Sequence, residues 1–163
     1  MDNDSKKILK RKKLDEIDTQ LISLLQRDGR LTNTDIAKKM KISEATVRTR
    51  LKKLIDEEYI QIVAVSNPYK LGFAITGDIY ISSEPQKIEK VISELKKIKE
   101  LWFIVTTTGP ANINAEFIVK DRDQLNELIH DKINTIDGVT EVETEIILEY
   151  KKRKYDFGTA YND

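Results

Sequence analysis

The chain has 163 residues, 39% of them hydrophobic and 34% charged, which suits two small folded domains better than one large one. It has no cysteine, which excludes disulfides, thiolate metal sites and thiol nucleophiles. No stretch approaches the roughly 20 consecutive apolar residues of a membrane span, so we expect a soluble, cytoplasmic protein.

The formal net charge is zero, but the charges are unevenly distributed along the chain. Residues 1–61 carry 15 Lys and Arg against 11 Asp and Glu, and residues 62–163 carry 13 against 17. The basic part could meet nucleic-acid phosphates while the acidic part stays away from them. Ordinary surface scatter would explain the difference equally well, so the motifs have to decide.

The first thirteen residues form a basic leader that we expect to fray, with or without phosphate contacts. Residues 14–60 then show three helical patterns. An apolar stripe with helical spacing begins at Leu14, Thr32 can cap a short second helix, and Ser43 can cap a third. Two capped helices joined by a tight turn, after a first helix, are typical of a helix-turn-helix DNA-binding domain.

Residues 61–70 are rich in strand formers before a proline, and we interpret them as a linking strand and hinge. Beyond them the pattern predicts, in order, a strand over 73–82, a helix that ends near 98, strands over 101–106 and 113–119 joined by a hairpin, a helix to 136, and a strand over 142–148. Residues 151–163 form a tail without a readable element.

The βαββαβ order of residues 71–150 predicts an α+β, ferredoxin-like domain, an antiparallel four-stranded sheet with both helices on one face. In a single chain, no helix is predicted to pack against the other face of the sheet. We therefore predict that this domain dimerises.

The third helix carries the strongest functional signal. With Val47, Leu51 and Leu54 directed at the core, its opposite side holds small, hydroxyl-bearing and cationic residues. Arginine can make bidentate contacts to guanine, threonine can touch a base, and lysine suits phosphate, so we predict DNA reading rather than a merely solvated face. The predicted DNA-binding residues are Thr32, Lys41, Ser43, Ala45, Thr46, Arg48, Thr49, Arg50, Lys52 and Lys53.

Several segments carry a family resemblance: Leu14-Asp15-Glu16-Ile17-Asp18, Asp28-Gly29-Arg30-Leu31-Thr32, Asp35-Ile36-Ala37, Val47-Arg48-Thr49-Arg50-Leu51, Leu71-Gly72 and Asp137-Gly138-Val139. Over about residues 14–150 the chain resembles the Lrp/AsnC (feast/famine) transcriptional regulators. The resemblance implies a winged helix-turn-helix joined to a ligand-binding domain called RAM. It also implies dimers that often assemble into octamers, and amino-acid effectors bound between dimers.

Three positions depart from the family pattern. Lys41 and Glu58 stand where the family usually has glycine, before and after the third helix. If the backbone at Lys41 is left-handed, the non-glycine residue there carries strain of about 1 kcal/mol, which a phosphate contact could offset. Glu58 changes how the third helix ends. At the hairpin the chain has Gly109-Pro110-Ala111-Asn112, whereas the family tends to end this motif with aspartate. Because Asn112 is uncharged, we expect a neutral polar amino acid rather than a basic one as effector.

The effector pocket is predicted at this hairpin, because glycine lets backbone N–H groups approach a carboxylate and threonine hydroxyls lie beside it. A tight turn without a ligand would need the same residues. Glu143 on the last strand is a candidate acceptor for the ligand's ammonium group. The residues assigned to the pocket are Thr107, Thr108, Gly109, Pro110, Ala111, Asn112, Glu143 and Thr144.

Two other classes of protein stay open. The chain could be a ferredoxin-like metabolite sensor or oligomerisation module without DNA binding, or a siroheme-decarboxylase-like enzyme subunit. Tetrapyrrole chemistry is expected to use histidines, and the sequence has only His130. We expect no catalytic residue, metal or cofactor. The expected partners are double-stranded DNA with a pseudo-palindromic site, a small-molecule effector and further copies of the chain.

Overall fold

The computed structural model describes residues 14–160, which divide into two units. The predicted basic leader, residues 1–13, lies outside the described residues. Residues 14–64 and 152–160 belong to the first unit, and residues 65–151 to the second. Most of the tail, which showed no readable element in the sequence, therefore belongs with the helix-turn-helix. No helix within residues 14–160 is long and apolar enough to cross a bilayer.

The first unit contains three helices: α1 (Glu16–Arg27), α2 (Asn33–Met40) and α3 (Glu44–Asp56). Each begins at a side-chain cap, because Asp15, Thr32 and Ser43 each accept a hydrogen bond from the backbone N–H three residues further on. The apolar stripes of the helices meet in one core, formed by Leu14, Leu21, Ile22, Ile36, Ala37, Val47 and Leu54. The predicted helix-turn-helix is confirmed.

Residues 60–67 form no strand, contrary to the predicted linking strand. A strand needs a hydrogen-bonded neighbour, and none of the strands in residues 14–160 pairs with this segment. The apolar side chains of Ile62, Val63 and Val65 are largely exposed instead. A single 3-10 turn, Tyr69–Leu71, then leads into the second unit.

The second unit contains β1 (Ile75–Ser83), α4 (Ile88–Leu95), β2 (Leu101–Thr106), β3 (Ile113–Val119), α5 (Arg122–Asn126, continued by a π-helical segment Glu127–Ile133) and β4 (Val139–Ile146). The sheet is antiparallel with the order β2-β3-β1-β4, which confirms the ferredoxin-like topology. The last strand begins at Val139, three residues before the predicted start, because Val139 pairs with Ser83 across a bulge.

Both helices cover the same face of the sheet, where Val91, Leu95 and Leu128 pack with buried residues of β1 and β3. Gly77 on β1 is required by close packing within the sheet. A Cβ atom there would lie 2.0 Å from the carbonyl oxygen of Glu145 and 2.7 Å from Cε1 of Phe117. No side chain fits this position without moving β4.

The uncovered face of the sheet is acidic across its centre. Asp78 lies directly opposite Glu116 on β3 and Glu145 on β4, so three carboxylates form a row across adjacent strands. β4 adds Glu141 and Glu143 on the same face by alternation. The four strands contain no lysine or arginine. The face on which dimerisation was predicted therefore carries five carboxylates.

Candidate DNA-binding and effector-binding sites

The turn between α2 and α3 is held by a left-handed residue. Lys41 has φ 56° and ψ 40°, and its backbone N–H donates to the carbonyl oxygen of Ala37. Glu58, just after α3, has φ 60°. These are the two positions at which the family usually has glycine. The left-handed backbone at Lys41 meets the condition under which strain is expected there. The Lys41 side chain is exposed at the turn.

Two of the predicted DNA-binding hydroxyls serve first as helix caps. The Thr32 hydroxyl accepts from the backbone N–H of Asp35 at 3.1 Å and donates to its carboxylate at 2.6 Å, which lowers the pKa of Asp35. The Ser43 hydroxyl accepts from the backbone N–H of Thr46 at 3.0 Å and lies 2.8 Å from its hydroxyl oxygen. Thr32 and Ser43 therefore fix where α2 and α3 begin.

The predicted reading side of α3 is open. Ala45, Arg48, Thr49 and Lys52 are exposed, and Thr46 is half-buried beside the cap. The Thr49 hydroxyl donates to the carbonyl oxygen of Ala45 at 3.0 Å, so its methyl group and its remaining acceptor capacity stay available. These residues form one continuous exposed surface at helical spacing.

The two exposed cations of this surface are only loosely held. Arg48 lies 3.1 Å from the Glu44 carboxylate, and Lys52 lies 2.6 Å from that of Asp56. The Arg48 and Lys52 side chains are 71% and 74% exposed. Such exposed pairs contribute less than about 1 kcal/mol, so a phosphate or a base edge can replace the carboxylate.

Arg50 and Lys53, also predicted to contact DNA, are directed at α1 instead. The Arg50 guanidinium donates to Asp18 at 3.1 Å and to Asp15, and Lys53 Nζ lies 3.7 Å from Asp18. The Asp18 side chain is only 1% exposed, and a carboxylate so buried requires a cationic partner. The structure thus gives Arg50 and Lys53 a structural role, and their DNA contact stays a prediction.

Asp15, Asp18, Arg50 and Lys53 form an ion-pair cluster that the sequence analysis missed. The backbone N–H of Asp18 and the Arg50 guanidinium hold the pKa of Asp15 below its ordinary value. The sequence does carry a signal for this cluster. Asp18 stands four residues after Leu14 and three before Leu21, inside the apolar stripe of α1. A carboxylate at such a position predicts a buried cation opposite it.

The predicted effector hairpin, residues 107–112, is closed by hydrogen bonds between its own residues. The Thr107 hydroxyl donates to the carbonyl oxygen of Ala111 at 2.6 Å, and the Thr107 N–H donates to that of Asn112 at 3.0 Å. Thr108, Gly109 and the adjoining proline, Pro110, are exposed at the tip. Only the tip is therefore open to a ligand.

The Asn112 side chain hydrogen-bonds the end of β1 through both its oxygen and its nitrogen. Its Oδ1 accepts from the backbone N–H of Ser83 at 3.0 Å and from the Ser83 hydroxyl at 3.2 Å, and its Nδ2 donates to the Ser83 carbonyl oxygen at 2.9 Å. Asn112 thus extends the β1–β3 pairing through its side chain. It attaches the hairpin to the sheet, and its contact with an effector stays a prediction.

Glu143 and Thr144 are not brought to the hairpin within one chain. Glu143 pairs with Tyr80 and Thr144 pairs with Ile79, whereas the hairpin residue Asn112 contacts Ser83. Ser83 lies three positions after Tyr80 along β1, a distance on the order of 10 Å. Glu143 lies on the acidic face, and Thr144 lies on the opposite, helix-covered side.

A separate cleft in the second unit lies away from the hairpin. It is lined by Glu94, Lys97, Ile98, Lys99, Glu100, Lys132, Thr135, Ile136 and Asp137. Lys132 lies 2.9 Å from Glu100 and 3.0 Å from Glu127, which raises the pKa of Lys132. Lys132 is therefore already paired with two carboxylates.

Comparison with known proteins assigns both units. The model of the winged helix-turn-helix DNA-binding domain matches residues 14–61, and that of the Lrp/AsnC ligand-binding domain matches residues 78–157. The chain is 35% identical to the HTH-type transcriptional regulator LrpA of Pyrococcus horikoshii, over 85% of this chain and 99% of that protein. It is 34% identical to the regulator FL11 of Pyrococcus abyssi, over 85% and 92%.

Solved structures agree with this assignment of the fold. Escherichia coli AsnC superimposes with a TM-score of 0.77 at 23% identity, over 88% of this chain and 97% of AsnC. The Neisseria meningitidis regulator NMB0573, solved in complex with L-Met, superimposes with a TM-score of 0.79 at 22% identity, over 88% and 96%. The chain, with its winged helix-turn-helix and its RAM domain, belongs to the Lrp/AsnC family of transcriptional regulators.

Proposed function

We propose that this regulator reads its DNA site through the exposed side of α3. The observation that carries the proposal is the surface of Ala45, Arg48, Thr49 and Lys52, open on a helix that is capped at its start. The ion pair between Arg50 and the buried Asp18 holds this helix against α1. A rigid helix with a bidentate donor, a hydroxyl and a phosphate-binding cation on one side suits the major groove.

The proposed effector is an amino acid bound at the tip of the hairpin. The Thr108 hydroxyl and the backbone around Gly109 are exposed and can hold a carboxylate. The hairpin residues 107–112 include no carboxylate that could neutralise a basic side chain, so we propose a neutral polar amino acid. A regulator of this fold with L-Met bound supports an amino acid as the class of ligand.

The proposed assembly is a homodimer that builds larger species, up to an octamer, and binds pseudo-palindromic DNA in the cytoplasm. Two reading helices related by a two-fold axis require half-sites one or more helical turns apart. If the acidic sheet face is buried against a second copy, its carboxylates repel, so association should strengthen as salt screens them. The chain acts by binding rather than catalysis. A monomer by light scattering at micromolar concentration contradicts this assembly.

The test is selection of bound fragments from a random DNA pool, repeated with each of the twenty amino acids present. We expect a pseudo-palindromic motif, with enrichment altered by a neutral polar amino acid. The double variant Arg48→Ala/Lys52→Ala serves as the control. If wild type and this variant enrich the same motif, α3 does not read DNA. If wild type enriches no motif at all, an amino-acid-binding module without DNA binding becomes the better description.

A further inference from the structure

The helix-turn-helix body carries no excess of positive charge. Residues 14–64 contain nine Lys and Arg and nine Asp and Glu, so the basic balance of residues 1–61 comes entirely from the leader. Of the cations on α3, Arg50 and Lys53 are held by Asp18, and Arg48 and Lys52 lie in surface pairs. Because most DNA affinity comes from phosphate neutralisation, a neutral body leaves part of that function to other segments.

The C-terminal tail joins this body through a specific contact. The Gln26 side chain, at the end of α1, donates to the carbonyl oxygen of Gly158 at 3.2 Å and accepts from its N–H at 2.9 Å. Gly158 has φ +74°, a conformation that favours glycine, and the adjacent Thr159 hydroxyl oxygen is buried. The tail is therefore anchored by both hydrogen-bonding groups of one backbone residue.

The anchored tail brings positive charge to the body. Residues 152–160 contain three cations and one carboxylate. Lys152 and Lys154 are exposed and form no ion pair with any of residues 14–160. Arg153 donates to the Tyr155 hydroxyl at 2.8 Å. The two lysines precede the Gly158 anchor by six and four residues, which keeps them within roughly 20 Å of it.

We propose that residues 152–158 are a DNA-binding arm of the helix-turn-helix unit, anchored at Gln26 and contacting duplex phosphates through Lys152 and Lys154. The inference rests on the proposed DNA-binding function. The arm adds affinity without sequence preference, because phosphate contacts carry no base information. In this proposal α3 reads the bases, and the arm adds affinity by contacting the phosphates of the DNA backbone.

The test measures the affinity of the full chain for a random-sequence duplex between 50 and 200 mM KCl. Lys152→Gln/Lys154→Gln should lower the slope of log affinity against log salt by about two units per bound protomer. Across this salt range wild type then loses roughly tenfold more affinity than the variant. The control Lys96→Gln/Lys99→Gln removes the same charge from exposed positions of the second unit and should leave the slope unchanged.

Gln26→Ala keeps every charge but removes the anchor. We expect a lower salt slope and faster tryptic cleavage at Lys152 and Lys154, with unchanged far-UV circular dichroism. A wild-type slope in Lys152→Gln/Lys154→Gln overturns the arm while leaving α3 as the reading helix. The same holds if that variant changes only the oligomeric state. If wild type retains no duplex even at 50 mM KCl, the proposed function fails and the arm falls with it.

Discussion

The reading helix α3 and the hairpin at residues 107–112 were both predicted as binding sites from their polar and small residues, yet the fold uses those residues differently. On α3, Arg48 and Thr49 remain exposed, with weak or local contacts. In the hairpin, Thr107 and Asn112 are engaged by the loop itself and by Ser83. A polar side chain is available to a ligand only where the fold has not already engaged it.

The largest effect on stability is expected when the two arginines of α3, Arg50 and Arg48, are replaced one at a time. Arg50→Ala leaves the buried Asp18 with only Lys53 at 3.7 Å, so the free energy of unfolding should fall by about 3 kcal/mol. Arg48→Ala, at an exposed pair, should change it by less than about 0.5 kcal/mol. Urea unfolding followed by circular dichroism measures both. Equal effects of the two substitutions would place Arg50 on the surface, against the structure.

The same cluster predicts how the unit responds to acid. Because the pKa of Asp15 is lowered in the folded protein, its contribution to stability is complete above the unfolded pKa of about 4 and is lost as the pH falls through the lowered value. Arg50→Ala removes one cause of the lowered pKa, so stability should depend less steeply on pH below about 4. An unchanged acid dependence in this variant argues against the Asp15–Arg50 contact.

The next effect concerns Asn112. Asn112→Ala leaves the Ser83 N–H and carbonyl groups without their partner and should destabilise the second unit by about 2 kcal/mol. Asn112→Asp retains the acceptor but loses the donor, so we expect a smaller loss of about 1 kcal/mol. Trp102 is the only tryptophan and lies on β2, so its fluorescence reports unfolding of this unit. A stable Asn112→Ala that binds no amino acid would instead make Asn112 a ligand contact.

The sequence predicted what depends on local patterns and missed what depends on distant partners. The caps at Thr32 and Ser43 and the strands β2 and β3 follow from neighbouring residues and are confirmed. The partners of Arg50 stand 32 and 35 residues away, and Asn112 and Ser83 are 29 residues apart. No local period reveals such pairs.

The tail is a second example of a distant contact. Gln26 and Gly158 are 132 residues apart, and the tail shows no helical or alternating pattern. The π-helical segment Glu127–Ile133 also carries no signal in the apolar spacing, which fits an ordinary helix. These features arise from packing rather than from local propensity.

The smallest effect is expected at the turn before α3. Lys41→Gly should relieve the left-handed backbone and raise the free energy of unfolding by about 0.5 to 1 kcal/mol, while weakening DNA binding by the loss of one cation. Lys41→Ala is the matched control, because it removes the same charge but keeps the strain. Urea unfolding and duplex binding measure the two effects. Equal stabilities of the glycine and alanine variants would show that the strain is negligible.

The most direct test of the reading surface is the ratio of affinities for the selected site and for a scrambled duplex, measured at one salt concentration. Because Arg48 is the exposed bidentate donor of α3, Arg48→Ala should reduce this ratio by roughly tenfold or more and change scrambled-duplex binding only a few-fold. An unchanged ratio in Arg48→Ala would contradict the account, because sequence would then be read by some other surface.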